Sequence, residues 1–147
     1  MSNVQLVRSS LEAFGRGDFE AALAAFDHDV EWQTADDEPD THTYIGVPAI
    51  RRFVEHLADP WKDRFGPAIE FQDFLDCGDW VVAPWTGRVH GHGSGIEIEI
   101  SETYAVLVRD GRIARVVEYR TAEEALDAVA PMRNGPAGRR SRFSREE

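Results

Sequence analysis

The chain has 147 residues and a formal net charge of −11, which argues against nucleic acid as a partner because a phosphate backbone is bound through Lys and Arg. The length suits one domain with a core of its own, and the single cysteine, Cys77, excludes an internal disulfide framework and a cysteine metal cluster. The chain has no apolar run that could span a bilayer and no N-terminal signal pattern, so we expect a cytoplasmic protein without membrane contact.

The N-terminal segment is predicted to form two helices. Ser2 and Gln5 have the spacing of a capping box, and apolar residues then recur at helical spacing as far as Phe14. Asp18 can cap a second, short helix within "GDFEAALAAF". Two helices therefore precede the first predicted strand.

A strand, a loop and a third helix are predicted next. "DVEWQTA" places Val30, Trp32 and Thr34 on one face, because successive side chains of a strand point to opposite faces. The polar segment "DDEPDTHTYIG" is predicted to be a loop. Pro48 suits the first turn of the third helix, which has Phe53 among its core positions.

The chain from Ala68 onward is predicted to be mainly β-structure. The candidate strands are 68–75, 80–91, 96–109 and 112–120. Asp110-Gly111 is a good hairpin signal between the last two strands. Helices followed by an antiparallel meander indicate an α+β fold.

The C-terminal part is predicted to be one helix and a tail. Thr121 and Glu124 have the spacing of a second capping box, which opens the helix "AEEALDAVA". Residues 1–130 form the predicted domain, and residues 131–147 form an Arg-rich tail that is expected to be disordered because it has few apolar side chains.

One predicted strand carries a charge on its apolar face. In "GIEIEISETYAVLVRDG" the isoleucine, tyrosine and valine side chains share one face, and Glu97, Glu99 and Ser101 lie on the other. Glu102 has the parity of the apolar residues. A charge without a partner is costly in a core, so Glu102 is expected to face a pocket instead. Such a pocket can form at the open end of a twisted sheet.

Three segments resemble the nuclear transport factor 2-like superfamily. "FGRGDFEAALAAFDHDVEW" resembles its helix–helix–strand opening, "YIGVPAIRRFVEHL" its third helix, and "YAVLVRDGRIARVVEYRTAEEALDAVA" its closing hairpin, last strand and terminal helix. The branch that this chain most resembles, over about residues 4–130, is the SnoaL-like group, which includes polyketide cyclases. The resemblance implies a cone-shaped α+β barrel with a pocket, in which three N-terminal helices pack on a curved, mostly antiparallel sheet and a short helix follows.

Two more distant relatives of this branch imply catalytic residues. Limonene epoxide hydrolase has an Arg-x-Asp on a middle strand and an Asp on the last strand, which match Arg88 and His90 in "GRVHG" and Glu118 in "VVEYR". The second acid of ketosteroid isomerase falls near Glu102. The resemblance thus implies Glu118 as base, His90 as the acid or the residue that orients water, Arg88 as the cation that keeps the carboxylate ionised, and Glu102 as a second acid or hydrogen-bond donor.

The pocket is expected to be lined by aromatic, apolar and cationic side chains. The predicted substrate-binding residues are Trp32, Tyr44, Phe53, Ile100, Tyr104, Val116 and Arg120. Strand parity also points Arg88, His90, Glu102 and Glu118 inward. Burial would raise the pKa of the two carboxyl groups, and the arginines would oppose that effect.

Two alternatives to this acid–base site stay open. Glu102 and Glu118 could be structural and ion-paired to Arg88 and Arg120 across the sheet. "HGHGSGIE" has the His-x-His spacing and later Glu that cupins use for iron or manganese. No later His completes such a site, and no metal is predicted.

The function predicted from these residues is cofactor-free acid–base catalysis. The substrate would be a small, largely apolar molecule with a carbonyl or epoxide oxygen, and the reaction a cyclisation, isomerisation or hydration. The alternatives are a non-catalytic small-molecule-binding module and a dimeric assembly module. Trp85 and Val89 are predicted on the outer face of the sheet, where apolar residues indicate a partner surface, so a homodimer through that face is expected.

Overall fold

The structure of the protein is a computed structural model that describes residues 1–35, 42–61, 69–90 and 97–133, without the side chains of 56–61, 89–90, 97–98 and 133. The helices are α1 (Asn3–Gly15), α2 (Phe19–Leu23), α3 (Val47–Trp61) and α4 (Ala122–Arg133). The strands are β1 (Phe26–Gln33), β2 (Thr43–Ile45), β3 (Glu70–Phe71), β4 (Leu75–Cys77), β5 (Trp80–His90), β6 (Glu97–Arg109) and β7 (Arg112–Tyr119).

The helices α1, α2 and α4 begin where the sequence predicted their capping residues. In α1 the Gln5 backbone N–H donates to Ser2 Oγ at 3.1 Å, and the Ser2 N–H donates to Gln5 Oε1 at 2.9 Å, which is the predicted capping box. Asp18 Oδ1 accepts from the third residue after it and so caps α2. Before α4, Thr121 Oγ1 accepts from the Glu124 N–H at 3.1 Å.

The described strands form one mostly antiparallel sheet, which confirms the predicted α+β class. Its strand order is β2-β1-β7-β6-β5-β3, and β4 also pairs with β5. All pairs are antiparallel except β1 with β7, which run parallel. Asp110 and Gly111 have φ values of 54° and 74°, as the predicted tight hairpin between β6 and β7 requires.

The element bounds differ from the predictions at three places. The predicted loop 36–46 contains the short strand β2, which pairs with β1, while residues 36–41 lie outside the described residues. The predicted strand 68–75 is two short strands, β3 and β4, and both pair with β5. Helix α4 continues to Arg133, three residues beyond the predicted domain boundary.

The sheet has two covered faces, which we call the inner and the outer face. The inner face packs against α1, α2 and α3, and its fully buried residues include Val30 of β1, Val106 of β6 and Val116 of β7. The outer face packs against α4, where a second cluster contains Trp80, Val82, Ala105, Val117, Ala125 and Val129. Both faces therefore bury apolar side chains.

Burial on the inner face decreases along β6 from Val108 toward Ile100. Val108 and Val106 are 4% and 0% exposed, whereas Tyr104, Glu102 and Ile100 are only partly buried. The valine end of the face is therefore closed core, and the Ile100 end is more open to solvent.

Candidate functional site

The central feature of the inner face is the carboxylate of Glu118. Glu118 lies near the end of β7 and is 8% exposed, the only charged residue that is buried among those whose side chains the structure describes. Its register partner on β6 is Tyr104. A carboxylate in such a position needs hydrogen-bond donors, since desolvation penalises its charged form.

Trp32 supplies one of these donors. Its indole Nε1–H donates to Glu118 Oε2 at 2.7 Å. The parallel pairing of β1 with β7 sets Trp32 beside Val116, and Glu118 is two residues further along β7 on the same face. The bond therefore follows from the strand pairing and joins residues 86 positions apart.

Aromatic rings surround the indole on the inner face. Tyr104 and Phe53 contact the Trp32 ring with centroid distances of 5.4 and 6.0 Å. Tyr44 stacks on Phe53 at 4.3 Å, and Trp85 touches Tyr104 at 5.8 Å. The structure thus brings together Trp32, Tyr44, Phe53 and Tyr104 from the predicted substrate-binding set in one aromatic cluster around the indole that binds Glu118.

Glu102 lies on the inner face, as the alternation along β6 indicated. It is half-buried and pairs in register with Trp85 of β5, while Ile100 pairs with Gly87. Glu102 and Glu118 therefore share one face of the sheet with the aromatic rings, in the region where burial gives way to exposure.

Two of the predicted cations do not lie where parity predicted them. Arg88 is exposed and pairs in register with Glu99 on the outer face, so its predicted inward orientation is wrong. Arg120 follows the last residue of β7, and its side chain is 63% exposed and ion-paired with Glu124 of α4 at 3.7 Å. Arg120 is therefore exposed rather than enclosed, contrary to its predicted place in a pocket.

The histidines of the predicted site fall at the limit of the described residues. His90 ends β5 in register with Glu97, and the side chains of both lie outside the described residues, as does His92. The proposed role of His90 and the alternative metal site thus stay predictions without a structural test.

Trp85 is the site residue that the sequence analysis assigned to the wrong face. It is 6% exposed, touches Tyr104 and faces Glu102 across the strand pair, so it belongs to the inner face. The predicted homodimer loses this residue as its argument and stays a prediction. Sedimentation velocity of the intact chain measures directly whether the protein is a monomer or a dimer.

A separate groove of about 420 Å³ lies on the outer side of the sheet. It is lined by Asp27, Asp29, Glu31, Leu107, Arg109, Ala114 and Arg115. Apolar walls are typical of small-molecule pockets, and this lining is mainly charged. None of the predicted site residues contributes to it, so the inner face is the candidate site.

The family of the chain follows from comparison with known proteins. The model of the SnoaL-like domain family matches residues 7–116, and the chain therefore belongs to this family, as predicted. The matched range includes Trp32, Glu102 and Tyr104 and ends two residues before Glu118. No curated protein matches the sequence. No helix in the described ranges has the length and apolar character that a membrane crossing requires.

Solved structures of the nuclear transport factor 2-like fold resemble the whole domain. A protein of unknown function from Burkholderia pseudomallei is 25% identical, with a TM-score of 0.65 over 86% of this chain and 97% of that chain. TerC, co-crystallised with polyporic acid, is 21% identical, with a TM-score of 0.68 over 87% and 98%. A candidate SnoaL-like polyketide cyclase from Mesorhizobium loti is 18% identical, with a TM-score of 0.57 over 81% and 99%. These likenesses confirm the predicted fold.

Proposed function

We propose that the protein is an acid–base enzyme that acts, without a cofactor, on a small, largely apolar molecule with a carbonyl or epoxide oxygen. Glu118 is the proton acceptor, and the reaction is a cyclisation, isomerisation or hydration. The observation that carries the proposal is the buried Glu118 carboxylate, which accepts at 2.7 Å from the N–H of Trp32, an indole packed among other aromatic rings.

The cost of this carboxylate argues for a chemical role. A buried ionised group lowers stability unless it is fully hydrogen-bonded, and an apolar side chain would fill the same space without that cost. Enzymes use such desolvated carboxylates as bases near neutral pH. The surrounding rings of Trp32, Tyr104 and Phe53 offer apolar walls to a substrate.

The other proposed roles follow from position on the inner face. Glu102 is half-buried and acts as a second acid or hydrogen-bond donor toward the substrate oxygen. Tyr44, Phe53, Ile100 and Tyr104 form the binding surface. Arg88 has no role because its side chain is exposed on the other face, and His90 is left out of the proposal because it has the same parity on β5 as Arg88.

Two comparisons support the substrate class. The chain belongs to the SnoaL-like family, and one structure of similar fold is a candidate polyketide cyclase. TerC, of similar fold, was co-crystallised with polyporic acid, which is therefore a suitable first probe for binding.

The experiment that tests the proposal is proton exchange in D₂O. A panel of small ketones and enones is incubated with the protein, and NMR measures loss of the proton on the carbon next to the carbonyl. Wild type should accelerate exchange for at least one compound, and Glu118→Gln should reduce the acceleration by about 100-fold or more. Gln keeps an oxygen that can accept from Trp32, so the fold should be retained.

Glu99→Gln is the matched control because Glu99 is an exposed carboxylate on the outer face of β6. It should exchange protons at the wild-type rate. Retained activity in Glu118→Gln would overturn the assignment of the base.

The second candidate function is a non-catalytic binding module. It is favoured by the same Trp32–Glu118 hydrogen bond, which can serve a purely structural purpose. In that case polyporic acid or a panel compound binds the protein without any proton exchange, and Glu118→Gln changes only affinity or stability. Binding measured by tryptophan fluorescence beside the exchange assay separates the two functions.

A further inference from the structure

We propose that Trp32 is a positioning residue, whose indole N–H fixes the orientation of the Glu118 carboxylate and favours its ionised form. This inference rests on the proposed function, in which Glu118 is the proton acceptor. It adds to that function a hydrogen-bond partner for Glu118, and this partner keeps the carboxylate ionised and in a fixed orientation.

The donor itself is held in a fixed position. Trp32 is 3% exposed, and its ring contacts aromatic rings from four elements of the fold. These rings are Phe14 of α1, Phe26 of β1, Phe53 of α3 and Tyr104 of β6, at centroid distances of 6.0, 6.3, 6.0 and 5.4 Å. The indole cannot turn without displacing several of them, so its N–H direction is set before any ligand binds.

The hydrogen bond favours one protonation state of Glu118. An indole N–H can only donate, and a carboxylate can only accept, so the 2.7 Å contact is a charge-assisted hydrogen bond when Glu118 is ionised. A donor to the charged form favours that form. Trp32 therefore opposes the desolvation that burial imposes on Glu118 and keeps it in the state that a base requires.

The geometric consequence concerns the plane of the carboxylate. A glutamate side chain has three torsions, and each donor in a fixed position reduces the number of orientations that its carboxylate can take. The bond to Oε2 ties one oxygen to β1 while the main chain of Glu118 is held in β7. Such pre-orientation lowers the entropy cost of reaching a reactive geometry.

The main test is the titration of Glu118 in the full chain. The protein is labelled with ¹³C in its glutamate carboxyl groups, and the Glu118 signal is identified by its absence in Glu118→Gln. In Trp32→Phe the pKa of Glu118 should rise by about one unit, because the ionised form loses the indole donor while an aromatic ring remains. An unchanged or lower pKa would overturn the proposal.

Trp80→Phe is the matched control. Trp80 is 5% exposed, so it is about as buried as Trp32, but it lies in the outer cluster under α4. The same substitution there should leave the Glu118 titration unchanged. An equal shift in both variants would mean that Trp32 acts only through general packing, which also overturns the proposal.

A second measurement needs no variant of Trp32, in case Trp32→Phe does not fold. The wild-type chain is labelled with ¹⁵N at its tryptophans, and the Trp32 Nε1–H signal is the one that moves most in Glu118→Gln. Its chemical shift should titrate with the midpoint of Glu118, while the Trp80 signal stays constant. A Trp32 signal that is independent of pH over that range contradicts the proposal.

The proton-exchange assay distinguishes this inference from the proposed function. If Glu118→Gln abolishes exchange while Trp32→Phe leaves both the Glu118 titration and the pH profile of exchange unchanged, the function stands and the positioning role is wrong. If Trp32 and Glu118 titrate together but Glu118→Gln retains exchange, the proposed function fails and the hydrogen bond is purely structural. Support for both requires the pH profile of Trp32→Phe to move upward with the pKa.

Discussion

The two faces of the sheet each bury a tryptophan, and the surroundings of the two rings differ in kind. Trp80 on the outer face is 5% exposed and lies among Val82, Ala105 and Val129 beneath α4. Trp32 on the inner face is 3% exposed and donates its N–H to the carboxylate of Glu118. The outer cluster consists of apolar residues, whereas the inner one contains an indole bound to a carboxyl group.

This difference indicates how the fold divides its tasks. Apolar burial on the outer face stabilises the domain without any polar cost. The inner face contains a buried carboxylate, and its residues become more exposed toward Ile100. Apolar packing alone does not require either feature. Local departures from an all-apolar core are expected where a protein acts on a ligand.

The largest expected effect is on the outer face. Val129 of α4 is fully buried, and Val129→Asp would place an unpaired charge there. We expect the free energy of unfolding to fall by roughly 3–5 kcal/mol in urea denaturation. Ala130→Asp, at an exposed position of the same helix, is the control and should cost less than about 1 kcal/mol. Equal losses would contradict the packing of α4 on the sheet.

Val116 and Val117 of β7 offer a direct comparison of the two faces. They are neighbours in sequence, but Val116 belongs to the inner cluster and Val117 to the outer one. Substitution of either by Ala should lower stability by about 2 kcal/mol. Only Val116→Ala should also alter proton exchange or polyporic acid binding, because Val116 lies beside Trp32. The same functional change in Val117→Ala would show that the faces are not separate in function.

The coupling between Trp32 and Glu118 sharpens the comparison further. A double-mutant cycle with Trp32→Phe and Glu118→Met should give a coupling of about 1.5 kcal/mol in the free energy of unfolding, since each single change removes one partner of a charge-assisted bond. The cycle of Trp80→Phe with Glu118→Met should give less than about 0.5 kcal/mol. Two cycles of the same size would mean that the inner pair has no specific coupling.

The smallest effect is expected at Arg88. Its side chain is exposed on the outer face, so Arg88→Gln should change stability by less than about 0.5 kcal/mol and proton exchange by less than about twofold. Thermal unfolding and the exchange assay measure both. A large loss of exchange would show that Arg88 reaches the site after all and would favour the sequence-based prediction.

Local signals predicted most of the elements. The capping residues Ser2, Asp18 and Thr121 and the hairpin pair Asp110-Gly111 act within a few residues of themselves, so they can be interpreted without the fold. Strand β2 was not predicted within the loop before α3. A three-residue strand is stabilised by its pairing with β1 rather than by its own sequence, so its residues give no strand pattern.

The orientation of β5 could not be inferred from hydrophobic alternation. Trp80, Val81, Val82 and Ala83 are all buried, because α4 covers one face of this strand and the N-terminal helices cover the other. A strand that is apolar on both faces gives no parity signal, and motif matching then turned Arg88 inward and Trp85 outward. The pairing of β5 with β6 decides the orientation, since it sets odd positions of β5 opposite even positions of β6.

The sequence by itself determined the α+β class, the family, the helix starts and the inward position of Glu102, because β6 alternates cleanly along its length. Only the tertiary structure decided which residues meet at the site. Trp32 and Glu118 are 86 positions apart, and their contact depends on the parallel pairing of β1 with β7 and on the ring packing that fixes the indole. Pairing and packing between distant elements are properties of the whole fold, and no local pattern encodes them.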